Sequence, residues 1–243
     1  NIGADEAPLS FLGREWESSM DLDRDVRKYV FEYFRSNGIA PITGQIAEQL
    51  NISPDSAELA LRRLDEEHHL KLVPRTSRIL MAFPFSAIAT PYLVSVKDGH
   101  RYYANCAWDA VAFHVMLGTP IGIDSYCHDC AQPVHLELEE GVLQNASLDP
   151  PILYFGLPAA QWWNDIVYTC GATMVFFASE AHLNRWLLKD RSAVGEMISV
   201  EQALKLSEPF YRTKMAYDFT RPSREARQRL FDSLGLRGPF WEI

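Results

Sequence analysis

The punctuation of residues 23 to 82 constrains the fold more than any other feature. Val26, Tyr29, Val30, Tyr33 and Phe34 recur at helical spacing and stop before Asn37 and Gly38, a pairing suited to a helix end. A second short helix follows, with Ile46, Ala47 and Leu50 facing inward. Ser53 followed by Pro54 supplies an N-cap and a proline at the first helical position, which opens a third helix through Leu61 and Leu64. Two short apolar runs, LKLV at 70 to 73 and RILMAF at 78 to 83, flank a polar turn and form a hairpin. Three helices and a hairpin make a winged helix-like module, assigned to residues 1 to 82.

That architecture raises the question of DNA binding, which a fold alone does not answer. The third helix offers Arg62 and Arg63, but Asp55, Glu58, Asp65, Glu66 and Glu67 surround them. A helix that faces phosphates needs more positive charge than that. The whole chain carries a formal net charge of -9, which also opposes nonspecific attraction to nucleic acid or anionic membrane. Nucleic acid is therefore an unfavoured partner, and the module is read as structural or dimerising.

FPFSAIATPYLVSV, at 83 to 96, joins the two halves, its prolines favouring extended backbone. LVSV begins a strand, and Asp98-Gly99 signals a hairpin that returns through Arg101, Tyr102 and Tyr103. A helix runs from about Asn105 to Leu117, and strands are expected in PIGIDSY, PVHLELE, ILYFGL and TMVFFAS. Ala181 to Lys189 and Val200 to Leu206 read as helices. Residues 83 to 243 are thus an α+β domain with a mixed, mostly antiparallel sheet. Near the end, Arg221, Arg224, Arg227 and Arg229 read as a solvated helix face.

With 47% hydrophobic residues the chain has enough apolar material to bury a core without staples. No apolar run approaches the roughly 20 residues that span a bilayer. NIGADEAPLS has neither the basic nor the apolar region of a secretory signal, and a chain that starts without Met can begin inside a longer product. Four cysteines in a chain this size do not make a disulfide framework, so a reducing cytoplasm is the expected compartment. The thiols are then available for metals or catalysis.

Cys127 and Cys130 form CHDC, a spacing that suits half of a zinc site or a redox dithiol. A closed zinc site needs two more ligands, and the donors considered are Cys106, Cys170, His114, His128 and His135, with no second CxxC. The thioredoxin reading lacks its βαβ context, so a reduced structural pair at a strand end is the simpler reading. Cys170 lies just before an apolar strand and beside Gly171, which allows close approach of backbone or ligand. Alone it reads as an inert core thiol. Cys106 reads the same way except for one neighbour. In YYANCAWDAVAF, Asp109 follows it by three positions, which brings thiol and carboxylate to one helix face. Asp109 either caps that helix or handles a proton beside a reactive sulfur.

In order and spacing, FPFSAIATPYLVSV, CAWDAVAFHVMLGTPIGIDSYC, AQPVHL and TCGATMVFFAS resemble the organomercurial (alkylmercury) lyases over residues 25 to 205, most of the chain. The resemblance implies an α+β catalytic domain behind a helical module without DNA-binding duty. It also implies catalytic roles for Cys106 and Asp109, through the shared Cys-x-x-Asp spacing, and for Cys170, with Cys127 as a structural cysteine. Relative to the family pattern Cys170 is slightly displaced from the Phe-Phe-Ala-Ser stretch, and Cys130 has no counterpart.

Protonolysis of a carbon-mercury bond needs soft ligands for the metal and an acid for the departing carbon. Thiolates meet the first need, and two of them weaken the bond to carbon more than one. A carboxyl group buried among Trp108, Phe113 and Tyr103 meets the second, because desolvation keeps its proton available. The reading implied is cleavage of R-Hg+ to RH and Hg2+ without an organic cofactor. Cys106 and Cys170 would hold the product mercury, and exogenous thiols or a mercuric reductase would remove it. The alternatives are a winged-helix soft-metal sensor using Cys127, Cys130 and a third thiol, or an enzyme of this fold redirected to another carbon-heteroatom substrate.

Overall fold

The structure is a computed structural model of the full chain, described for residues 9–146, 151–189 and 194–243. The expectation of a module reaching back to residue 1 lies, for residues 1 to 8, outside the described residues. The chain divides into two compact units between Ala82 and Phe83.

The first unit contains α1 (Leu9–Asn37), α2 (Thr43–Leu50), α3 (Pro54–Glu66), β1 (Lys71–Leu72) and β2 (Ile79–Ala82). Val26, Val30, Phe31 and Phe34 on α1 are buried with Ile46 and Ala47 of α2 and Ala57, Ala60, Leu61 and Leu64 of α3. Their spacing of three and four residues is what gives each helix one apolar stripe to bury. Ser53 caps α3, its Oγ accepting the Ser56 N–H at 3.1 Å, and β1 pairs antiparallel with β2. Both arginines of α3 are engaged by carboxylates. Arg62 pairs with Glu58, and Arg63 donates Nε and Nη2 to the two Asp23 oxygens at 2.7 and 2.6 Å.

The second unit begins with β3 (Phe85–Ser86) and the hairpin β4 (Leu93–Val96) and β5 (Arg101–Tyr103), followed by α4 (Ala107–Leu117). β6 (Ile121–Tyr126), β7 (Pro133–Glu139) and β8 (Val142–Ala146) complete a five-stranded antiparallel sheet of order β5-β4-β6-β7-β8. Period-2 burial along β7, with Val134, Leu136 and Leu138 inward, is the pattern of a sheet covered on one face. β9 (Ile152–Phe155) is flanked by β10 (Met174–Phe177) and β11 (Glu196–Ser199) in a second antiparallel sheet. Between β9 and β10 lie α5 (Ile166–Tyr168) and a π-helical turn, Thr169–Thr173. α6 (Glu180–Lys189), α7 (Val200–Tyr211) and α8 (Arg224–Ser233) follow. The unit is α+β with antiparallel sheets, as expected.

α4 organises this unit. Every residue from Ala107 to Met116 is buried, so the helix has no solvent face and must lie inside. It packs against β4, β6 and β7 of the large sheet, β10 of the small sheet, and α7. Gly118, at φ 63°, ends it with an N–H to the His114 carbonyl. An aromatic cluster of Phe155, Trp162, Phe231 and Trp241 joins the end of β9 to α8 and reaches Trp108 of α4.

Two sequence expectations need correction. α7 extends to Tyr211 rather than stopping near Leu206, continuing through Pro209. The proline removes one backbone hydrogen bond, and the buried face of Ala203, Leu204, Leu206, Ser207 and Tyr211 holds the helix across it. Arg221 is not on a solvated helix face: it precedes α8, and its guanidinium lies 4.6 Å from the centroid of Trp163. Burial lowers its pKa to about 10. Arg227 is half-buried, whereas Arg224 and Arg229 are exposed as expected.

Candidate active site

Cys106 sits at the N-cap of α4 with extended backbone, φ -155° and ψ 177°. Its sulfur does what a Ser or Thr oxygen would do at that position, accepting the Asp109 N–H at 3.3 Å. The cap of α4 is therefore the thiol, and the Asp109 side chain is free for other partners. This corrects the capping alternative for Asp109.

Asp109 is 1% exposed. Tyr211 donates its hydroxyl to Oδ1 at 2.6 Å, and Asn105 donates Nδ2 to Oδ2 at 3.1 Å. The same Asn105 nitrogen faces the carbonyls of Pro84 and Phe85 at 3.0 and 3.1 Å. Three acceptors around one atom require it to be the amide nitrogen. Its partner oxygen, Oδ1, is buried without a hydrogen bond among the described residues. Burial raises the Asp109 pKa to about 6, against the opposing pull of the Tyr211, Asn105 and Cys106 hydrogen bonds and the Lys214 charge. Burial likewise pushes the Tyr211 hydroxyl well up, with Asp109 adding to it.

Cys170 lies in the π-turn ahead of β10 and is 3% exposed. Such turns project one residue out of the regular helical register, and they concentrate at functional sites. A Cβ built on Gly171 would meet nothing within 4 Å, so the glycine is not required there by protein packing. One sulfur from Cys106, one from Cys170 and one oxygen of Asp109 lie within 4.8 Å of one another. All four cysteines are free thiols.

The two thiols differ electrostatically. Burial raises Cys106 well above its ordinary range, and its hydrogen bond to Cys170 and the Asp109 and Cys170 charges add to that, while the Asp109 backbone N–H pulls it down. At Cys170 the hydrogen bond from Cys106 pulls downward, but burial and Asp109 leave the net shift upward. The Cys170 thiol is raised less than that of Cys106, which makes Cys170 the readier thiolate. A third sulfur completes the group: Met174 Sδ lies 3.8 Å from Cys106 Sγ. The Tyr92 hydroxyl donates to the Met174 carbonyl at 3.3 Å.

The walls are aromatic. Trp108 contacts Phe155, Trp162, Phe210 and Tyr211, and its Nε1 donates to Ser207 Oγ at 2.9 Å, which fixes α4 against α7. Tyr103, expected beside Asp109, is 37% exposed, and Tyr211 supplies the aromatic contact instead. Phe113 is fully buried against Phe85 and Tyr102. A cleft of about 520 Å³ opens beside the π-turn, with Tyr168, Ala172, Thr173, Val175 and Trp186 in its lining.

Cys127 and Cys130 do not join this site. They lie on the loop between β6 and β7, Cys127 buried and Cys130 exposed, with His182 of α6 between them. None of the histidines considered from sequence (His114, His128, His135) is the third donor, and neither is a thiol. His182, Tyr211, Asn105 and Met174 were not singled out by sequence reasoning. Only Asn105, adjacent to Cys106, carried a local signal.

An aromatic-walled α+β domain with two free thiols and a carboxyl group of raised pKa defines a thiol-based site. Residues 85–212, which include all of these side chains, match the family model described as alkylmercury lyase. The chain belongs to the alkylmercury lyase family. An alkylmercury lyase of Bacillus cereus is 29% identical over 119 residues, 49% of this chain and 52% of that protein. One of Streptomyces lividans is 26% identical over 179 residues, 73% of this chain and 79% of the relative. The chain spans about half the length of the Bacillus cereus and Clostridium butyricum relatives it matches. Among solved structures, the mercury-bound form of MerB2 shares the fold, with a TM-score of 0.64 at 19% identity over 80% of this chain and 91% of that one.

Proposed function

We propose that this chain cleaves carbon-mercury bonds by protonolysis, with Cys106 and Cys170 as the metal-capturing thiols and Asp109 as the proton donor. The observation that carries the reading is the convergence of two buried sulfurs and one carboxyl oxygen within 4.8 Å. The thiolate of Cys170 attacks mercury first and its proton leaves to solvent. As Cys106 binds, its proton passes to the Asp109 carboxylate, an oxygen of which lies within 4.8 Å of the Cys106 sulfur. Asp109 then protonates the carbon, and the Hg–C bond breaks. The balance is R-Hg+ plus two thiols giving RH, a mercury dithiolate and one proton.

A carboxyl pKa of about 6 suits this double duty, because the group accepts a proton near neutrality and gives it up again. Tyr211 and Asn105 act as positioning residues by fixing the carboxyl oxygens. Organic groups would be received by the aromatic wall around Trp108. No organic cofactor enters the scheme. Two external thiols, from a small thiol or a mercuric reductase, exchange for Cys106 and Cys170 to release the metal, which fits a thiol-rich cytoplasm. Among the described residues no helix is long and apolar enough to cross a membrane.

The first unit is read as a winged helix-like domain, residues 1–82, ahead of the catalytic domain, 83–243. Support comes from its three helices and antiparallel hairpin and from the division of the chain after Ala82. The pairing of Arg62 with Glu58 and Arg63 with Asp23 supports the absence of a phosphate-binding role. The function is tested with phenylmercury and excess small thiol. Benzene release by wild type but not by Cys106→Ser or Cys170→Ser is expected, and no release from folded, reduced wild type would overturn it.

A further inference from the structure

The described residues hold a second group of three soft donors, and neither the sequence reading nor the proposed reaction uses it as a unit. The Cys127 and Cys130 sulfurs lie 3.4 and 3.3 Å from the same atom, His182 Nδ1. A neutral imidazole nitrogen carries either one lone pair or one hydrogen, so it cannot make two good hydrogen bonds at once. A cation bound by all three atoms satisfies every one of them. A tetrahedral zinc ion, with its sulfur and nitrogen bond lengths, sets the ligand atoms about 3.5 Å apart. The observed separations match that spacing.

The surrounding contacts hold the three donors in place. The Cys127 N–H donates to the Gln132 carbonyl and the Ala131 N–H to the Cys127 carbonyl, both at 2.8 Å. Ala131 adopts φ 59°, a left-handed conformation that an alanine takes only where the surrounding fold compels it. The Cys-x-x-Cys loop is thus folded back on itself. Between the cysteines, Asp129 accepts Arg185 Nε at 2.6 Å and Lys189 Nζ at 2.7 Å. Both cations belong to α6, on the face that carries His182, since residues 182, 185 and 189 recur at helical spacing. The ion pairs therefore clamp the loop to the helix that supplies the third donor. The His128 N–H adds a bond to the Phe176 carbonyl of β10 at 2.9 Å.

We propose that Cys127, Cys130 and His182 form a binding site for one soft divalent d10 cation, with a fourth coordination position open toward solvent at the exposed Cys130. Two thiolates and an imidazole select soft and borderline ions over calcium or magnesium. Binding displaces two thiol protons. Zinc and mercury share this chemistry, so the bound ion is either a resident zinc or a mercury ion taken up from solution. The assignment does not depend on the proposed lyase activity.

The test uses the reduced full chain in a Cys106→Ser/Cys170→Ser background, which removes the other thiol pair. Cobalt titration is expected to give the intense visible bands of a tetrahedral sulfur-ligated ion, saturating at one equivalent and displaced by one equivalent of zinc or of mercury. Cys130→Ser and His182→Ala, on the exposed loop and half-buried helix face, each lower cobalt affinity by more than the roughly 10–100-fold that loss of an outer partner costs. Circular dichroism checks that both variants stay folded. Metal analysis of wild type purified without added metal separates the sources: retained zinc marks a resident ion, and metal-free protein that then binds mercury marks an acquired one. Absence of the tetrahedral bands, or bands unchanged by both substitutions, would overturn the site.

Discussion

The two thiol groups of the second unit each join two cysteines to a third donor, on different elements and to different ends. Cys106, Cys170 and Asp109 are all at most 3% exposed, and burial raises the pKa of each residue. Cys130 is exposed, His182 is half-buried, and the ion pairs of Asp129 hold their loop to α6. Strand β10 separates the groups. Met174 at its start meets the Cys106 sulfur, and the Phe176 carbonyl further on receives the His128 N–H beside Cys127. A buried site that holds protons on its thiols and sets a carboxyl pKa near neutrality suits the proposed proton transfer. A surface site whose sulfurs share one nitrogen is poised to hold an ion.

The contrast is broken most completely by removing a buried sulfur. Cys106→Ser is expected to reduce hydrocarbon release to background, because an alcohol is a poor ligand for a soft metal, whereas Cys130→Ser leaves release unchanged. Headspace chromatography on the two variants decides between them. Equal losses would mean that the two groups act as one.

Linkage gives the next largest effect. The folded pKa of Asp109, about 6, lies above its ordinary 3.8, so its contribution to stability is fully present below that ordinary value and is lost as pH rises through 6. The gap amounts to about 3 kcal/mol. Stability of Asp109→Asn relative to wild type should therefore improve between pH 4 and pH 8, as read by urea unfolding at each pH. A flat difference would show that the Asp109 carboxyl is not held above its ordinary pKa. In the second group, Asp129→Asn releases the clamp and should weaken cobalt binding by about 10–100-fold, while leaving hydrocarbon release intact.

The smallest effect expected is a shift in pH profile. Tyr211→Phe removes the hydroxyl that stabilises the Asp109 carboxylate, so the carboxyl pKa rises further above 6. The limb of the kcat profile that reports Asp109 should move to higher pH. A purely structural role for Tyr211 would lower the rate at all pH values without moving that limb.

How much of this was legible in sequence depended on range. Ser53-Pro54 marked the start of α3, Asp98-Gly99 the β4–β5 turn, and the apolar runs the strands β6, β7, β9 and β10, because caps, turns and periodicity act over a few residues. Cys106 and Asp109 were visible for the same reason. Tyr211 stands 102 residues from Asp109, and His182 stands 52 from Cys130, so only the packing of α7 and α6 brings them in. The π-turn at Cys170 has no compositional mark, and the extension of α7 across Pro209 contradicted the local rule. Tertiary burial decided that segment, and with it the position of Tyr211.

The most direct test of the central claim is the transfer of a proton from Asp109 to carbon. Phenylmercury turnover is measured in deuterium oxide with excess thiol, for wild type and Asp109→Asn, following benzene by headspace mass spectrometry. Wild type should release singly deuterated benzene, and the variant should still capture mercury but release benzene about 10²–10⁴-fold more slowly. Release from a folded Asp109→Asn variant at the wild-type rate would contradict the account.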